Sequence, residues 1–127
     1  MTKIKLYHYS NTDFKEYIKT SFYGQNYFTS NDLKATEVKR AFFYLELNPL
    51  ERRFSGCRYL YIAEILKSRI YDLRADLRGY KSRYNTITRL LRAIKQNYNG
   101  IIYEAGGVVI VNLFYDIKIK DKITLTR

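Results

Sequence analysis

Three groups of residues in this chain are of types and spacings that could do chemistry: the single histidine, His8; a basic run between residues 67 and 95; and Glu104, just ahead of a glycine turn. Histidine donates and accepts hydrogen bonds and titrates near neutrality. In the basic run Lys67, Arg69, Arg74, Arg78, Lys81, Arg83, Arg89, Arg92 and Lys95 are opposed only by Asp72 and Asp76, with Tyr71, Tyr80 and Tyr84 among them. Arginine grips phosphates and tyrosine stacks on bases, so Arg83, Arg89, Arg92 and Lys95 are candidates for binding nucleic acid or another acidic partner. A solvated helix face fits the same residues. With 14 tyrosines in the chain, the interleaving is also partly compositional.

Other chemistries are disfavoured. One histidine and one cysteine, Cys57, do not make a common zinc set, so no metal is expected. Neither Gly24 nor Gly106-Gly107 sits in a strand-to-helix phosphate loop, and no nucleophile elbow is present.

The chain has 127 residues, 46% of them hydrophobic, which suits one domain spanning 1–127 with one core. Its formal net charge of +11 favours acidic partners. No apolar run approaches the roughly 18 residues that cross a bilayer, so no membrane association is expected. A lone cysteine suits a reducing compartment, which points to the cytoplasm.

The elements that must position these residues follow from periodicity. Lys3 to Tyr9 alternates Ile4, Leu6 and His8 against Lys3, Lys5, Tyr7 and Tyr9, a strand with His8 on its apolar face. Asn11-Thr12-Asp13 with Glu16 predicts a short helix from about Phe14 to Thr20. Tyr27-Phe28-Thr29 reads as extended, and Ser30-Asn31-Asp32 caps a second helix carrying Leu33, Val38, Ala41, Phe42 and Leu45, ended by Asn48-Pro49. Arg58 to Leu66 reads as a buried strand, although periodicity there also admits a helix. The longest helix is predicted over Ser82–Tyr98 from Ile87, Leu90, Leu91, Ile94 and Tyr98, with Asn99-Gly100 ending it. Ile101–Glu104, a turn at Ala105-Gly106-Gly107, Val108–Val111 and Ile117–Leu125 then predict a closing β-meander. The fold class is α+β, with a split, mostly antiparallel sheet and two to three helices.

The order of these motifs resembles the small ADP-ribosyltransferase-like domains of phage and bacterial effectors, which transfer ADP-ribose from NAD. The resemblance covers most of the chain. Leu6-Tyr7-His8-Tyr9-Ser10 looks like the family's first strand, whose histidine bonds the NAD ribose with a small hydroxyl residue following, which implies cofactor contacts at His8, Tyr9 and Ser10. Tyr27-Phe28-Thr29-Ser30-Asn31 is similar to the second element and implies Tyr27 as a nicotinamide platform and Ser30 beside it. Asn99-Gly100-Ile101-Ile102-Tyr103, the turn, the valine-rich strand and Asp116-Ile117-Lys118-Ile119 resemble the closing hairpin.

The chain departs from the family where an acidic residue or glutamine commonly opens the valine-rich strand. That position falls near Gly107 or Val108, and Glu104 lies just before it. Cleaving the nicotinamide bond spreads positive charge over the ribose, so a carboxylate within reach would stabilise the transition state. Glu104 is the catalytic candidate, with Asp116 the only other carboxylate nearby. Plainer readings stand beside these: His8 as a core histidine donating to a backbone carbonyl, Glu104 as an exposed hairpin residue, Tyr27 as core or rim, and Ser30 as a helix cap. Two functions are therefore expected. One is a NAD-dependent mono-ADP-ribosyltransferase modifying a host protein or nucleic acid. The other is an inactive basic module that engages nucleic acid or blocks an acidic protein surface. Small size and a composition rich in lysine and tyrosine suggest a phage or mobile-element protein acting on host defence.

Overall fold

The computed structural model describes residues 2–21, 38–47 and 56–125. Its elements in chain order are β1 (Lys3–Ser10), β2 (Tyr17–Ile18), β3 (Ala41–Tyr44), β4 (Tyr59–Leu66), β5 (Ile70–Asp72), α1 (Tyr80–Arg83), α2 (Ile87–Lys95), β6 (Gly100–Ala105), β7 (Val108–Leu113), β8 (Ile117–Lys118) and β9 (Asp121–Thr124). Seven strands form one sheet in the order β5-β6-β7-β3-β1-β4-β9, and β2 and β8 form a separate ribbon. Within the large sheet only β5 and β6 are parallel. This is an α+β domain with a mostly antiparallel sheet and, among the described residues, two α-helices.

Each side of the sheet carries its own core. On one side Tyr44, Tyr71, Ile101, Tyr103 and Ile110 pack with Leu90, Leu91 and Ile94 of α2. On the other Leu6, Phe43, Tyr61, Ala63, Ile102 and Val111 pack with Ile18 and, at the margin, Phe14, Ile117 and Ile119. Burial on both sides explains why the central strands read as near-continuous apolar runs rather than clean alternations.

The predicted strands over Lys3–Tyr9 and Arg58–Leu66 are β1 and β4, joined through eight residue pairs from Lys3↔Leu66 to Ser10↔Tyr59. The predicted hairpin is β6–β7, closed by Gly106 and Gly107 at φ 58° and 77°. Positive φ at both turn residues is the two-residue turn that glycine favours.

Four expectations need correction. The helix predicted over Phe14–Thr20 is largely irregular and contains β2, because fully buried Ile18 pairs with Ile117 and a seven-residue segment gains little from helix alone. Of the helix predicted from Ser30-Asn31-Asp32 through Leu45, residues 31–37 lie outside the described residues, and Ala41–Tyr44 is strand β3, whose aromatic residues pack on alternate faces of the sheet, so that a strand buried on both sides gave the spacing of Ala41, Phe42 and Leu45. The single helix over Ser82–Tyr98 is two, since Tyr84 is extended and Thr86 caps α2 by accepting a hydrogen bond from the Arg89 amide. The closing segment is not a meander: β8 pairs with β2 and β9 with β4, on the far side of β1 from β7. Tyr27 and Ser30 lie outside the described residues.

Candidate functional site

β1 is held unequally by its neighbours. It runs along all of β4 but meets β3 at a single pair, Tyr7↔Tyr44. Just past that pair the two strands lose their ladder, and there the His8 side chain stands in for it. Nδ1 of His8 donates to the Phe42 carbonyl oxygen at 2.6 Å. Its ring lies 5.5 Å from Phe43, 6.0 Å from Phe14 and 6.2 Å from Tyr61, centroid to centroid. Burial pushes the imidazole pKa below 6.5, against the opposing pull of the Phe42 carbonyl, so His8 is neutral at pH 7. With its proton on Nδ1, Nε2 is an acceptor, and it has no partner among the described residues.

The other residues of the first motif diverge. Tyr9 projects from the opposite face of the strand, as strand alternation requires. Ser10 ends β1 and its hydroxyl accepts from the Thr12 amide at 3.0 Å, shaping the turn that follows. Phe14 and Tyr61 close over His8: the Tyr61 hydroxyl donates to the Thr12 carbonyl at 2.6 Å and accepts from the Phe14 amide at 2.9 Å. An open groove runs beside this cluster along Asp13, Phe14, Lys15, Glu16, Tyr17 and Lys19.

Glu104 is exposed on β6, opposite Val109 of the valine-rich strand β7. Strand register puts it on the same face of the sheet as His8, but β7 and β3 lie between them. Three inter-strand spacings amount to about 14 Å. The structure does not bring these two side chains together. Asp116 is committed elsewhere, accepting from the Thr20 amide at 2.8 Å and ion-pairing with Lys19 at 3.7 Å.

The basic run forms a layer of its own over the opposite core. α2 buries Leu90, Leu91, Ala93 and Ile94 and leaves Arg89 and Arg92 exposed. Ahead of it, residues 72–84 are organised by one carboxylate. Asp76 accepts from the Tyr71 hydroxyl at 2.5 Å, the Tyr80 amide at 3.0 Å and the Lys81 amide at 3.0 Å. The Tyr71 hydroxyl in turn accepts from the Arg78 amide at 2.9 Å. Burial, reinforced by that bond to Asp76, raises the Tyr71 phenol to about 12. Asp72 is taken up by Arg74 in a bidentate pair, both contacts 2.9 Å. Both acidic residues of the segment are thus satisfied, whereas Arg78, Lys81, Arg83, Arg89 and Lys95 make no ion pair with any described residue. Arg78 lies over Tyr98, Arg83 over Tyr80 and Tyr84, and Lys95 over Tyr115, at 4.9 to 5.8 Å from the ring centroids.

A buried polar triad that sequence reasoning did not single out links the central strands. Arg40 and Asn112 are 3% and 0% exposed. Arg40 Nη1 donates to Asn112 Oδ1 at 2.9 Å, and the Asn112 amide donates to the Tyr103 hydroxyl at 3.2 Å. The one signal available in sequence was an arginine directly ahead of an apolar run. Among the described residues no group of histidine, cysteine and carboxylate side chains could hold a metal ion, and no helix is long and apolar enough to cross a membrane.

Compared with known proteins, the chain matches no family model, no curated protein and no solved structure.

Proposed function

We propose that this chain is an ADP-ribosyltransferase-like scaffold that serves as a basic binding module, with nucleic acid as its ligand. The observation that carries this reading is the charge of the 74–98 layer: five exposed or half-exposed cations that make no ion pair with any described residue stand beside two carboxylates already satisfied internally. Such a surface attracts a polyanion and gains affinity by releasing its counterions. Guanidinium groups resting on tyrosine rings are held in place before the ligand arrives, which lowers the ordering cost of binding. The test is fluorescence anisotropy of a labelled oligonucleotide across a salt series. Replacing Arg89, Arg92 and Lys95 together with alanine is expected to weaken binding on the order of 100-fold and to flatten the log–log salt slope by roughly 2 to 3. A slope that stays the same would sink the reading.

The second reading, a NAD-dependent mono-ADP-ribosyltransferase acting on a host protein or nucleic acid, draws on one observation: Nε2 of His8, which has no partner among the described residues, is an acceptor of the kind a sugar hydroxyl can donate to. In that reading Glu104, three strand spacings from His8, lies too far off to share one ribose with it. Calorimetry with NAD and mass analysis for released nicotinamide separate the two readings. Binding lost in His8→Gln and turnover lost in Glu104→Gln would favour transfer. No heat and no nicotinamide would leave the basic surface as the working part.

A further inference from the structure

Leu77 is 91% exposed, far more than Leu47 at 53%, the next of the exposed large hydrophobic side chains among the described residues. A leucine in that position contributes nothing to packing and puts apolar surface in water. Its backbone, by contrast, is firmly held. Leu77 follows Asp76, which sits in the left-handed region at φ 45°, and precedes Arg78 and Gly79, the latter at φ 64°. The turn is closed by the Gly79 amide donating to the Asp76 carbonyl at 2.9 Å, and its base by the Asp76 amide donating to the Asp72 carbonyl at 3.0 Å. The next amide, that of Arg78, is pinned to the Tyr71 hydroxyl. The outcome is an apolar tip on a fixed mount, flanked by exposed Arg78 and Lys81.

We infer that Leu77 is a wedge that enters a base step of double-stranded nucleic acid while the flanking cations hold the phosphates. This inference rests on the nucleic-acid reading above and names the form of ligand. Two observations favour a duplex over a single strand. The faces of Tyr80, Tyr84 and Tyr98 in this layer already carry arginine guanidinium groups, so they are not open platforms for unpaired bases. A lone aliphatic side chain projecting between cations is instead the arrangement that partly unstacks a base step from the minor groove and kinks the helix. One leucine is also too little apolar surface to anchor the protein on a lipid bilayer.

The experiment uses the full chain and a duplex of about 20 base pairs, enough to cover an interface of this class, carrying 2-aminopurine at a flexible TA step and a donor–acceptor pair at its ends. Wild type is expected to raise the 2-aminopurine fluorescence and shorten the end-to-end distance on binding. Leu77→Ala is expected to keep the salt slope and to change affinity by roughly threefold or less, because burial of the leucine and unstacking of the step offset one another. It is also expected to lose both the fluorescence rise and the bend, which Leu77→Phe restores. Salt-dependent binding without a fluorescence rise in wild type, or an undiminished rise in Leu77→Ala, overturns the wedge and leaves the nucleic-acid reading intact. Absence of salt-dependent binding by wild type overturns both.

Discussion

On one face of the sheet, His8 is enclosed by Phe14, Phe43 and Tyr61, and its one proton is committed to a backbone carbonyl. Over the other face, Tyr71 and Tyr80 are buried, but the hydrogen bonds around them run outward, through Asp76 to the amides of Tyr80 and Lys81 and through the Tyr71 hydroxyl to that of Arg78. Both regions combine aromatic rings with titratable groups. The first uses them to hold two strands together where their ladder stops; the second uses them to hold out a loop of cations. Aromatic and titratable composition alone therefore does not mark a ligand site. What matters is whether the hydrogen bonds end in the core or fix the backbone beneath exposed side chains.

The change expected to damage both regions most is Gly100→Ala. A Cβ at Gly100 would lie 2.3 Å from the Asn112 carbonyl oxygen and 2.7 Å from Leu113 Cδ2, and backbone cannot yield as a side-chain tip can. β6 supplies Ile101 and Tyr103 to one core and Ile102 to the other, so both should loosen together. A loss of about 3 kcal/mol is expected in chemical denaturation. A protein of unaltered stability would show that the strand packing around β6 is looser than described.

Tyr71→Phe should separate the regions. It removes the donor to Asp76 and the acceptor of the Arg78 amide inside a buried cluster, at a cost of about 2 kcal/mol. Affinity for an oligonucleotide should fall, while the surroundings of His8 should be unchanged by its imidazole resonances in NMR. The same residue governs alkaline behaviour. Its folded value of about 12 lies above the ordinary 10.0, so the unfolded chain ionises first as pH rises. Its contribution is present in full below pH 10 and is lost between there and about 12. Thermal melts of Tyr71→Phe across that range should lack this part of the decline.

The smallest effect concerns His8. Its folded pKa is below 6.5, so as pH falls past that value the unfolded chain takes up a proton that the folded one refuses. Stability therefore drops below pH 6.5, toward the range where the carboxylates also titrate. His8→Gln should flatten this segment of a melting-temperature profile while leaving oligonucleotide binding intact. A profile as steep in the variant as in wild type would mean that His8 is protonated in the fold.

Much of the framework was legible because the physics there is local. The period-2 pattern of Lys3–Tyr9, the apolar run of Tyr59–Leu66 and the paired glycines 106 and 107 each lead to the observed element. The apolar stripe of α2 was equally clear, but the break at Tyr84 was hidden until the Thr86 cap could be seen. β3 misled because apolar residues on both faces of a central strand mimic a helical repeat, and β5, only three residues long, gave no periodicity at all. His8 was readable both as a ligand contact and as a donor to a carbonyl. The carbonyl proved to be that of Phe42, 34 residues away, which no local pattern encodes. Leu77 went unremarked for a related reason: a single leucine in a polar loop looks ordinary until its exposure is known.

The sequence by itself determined the positive charge, the α+β composition and the concentration of cations in residues 67–95, because these depend on residue identity and near-neighbour spacing. Only the tertiary structure decided which charges remain available and which side chains meet. Asp76 is withdrawn from the surface by a tyrosine five positions before it, and Arg40 is buried against an asparagine 72 positions after it. His8 and Glu104 share a face yet stay three strands apart. Such outcomes follow from strand order and register, which are set by long-range burial of apolar faces and not by any short stretch of chain.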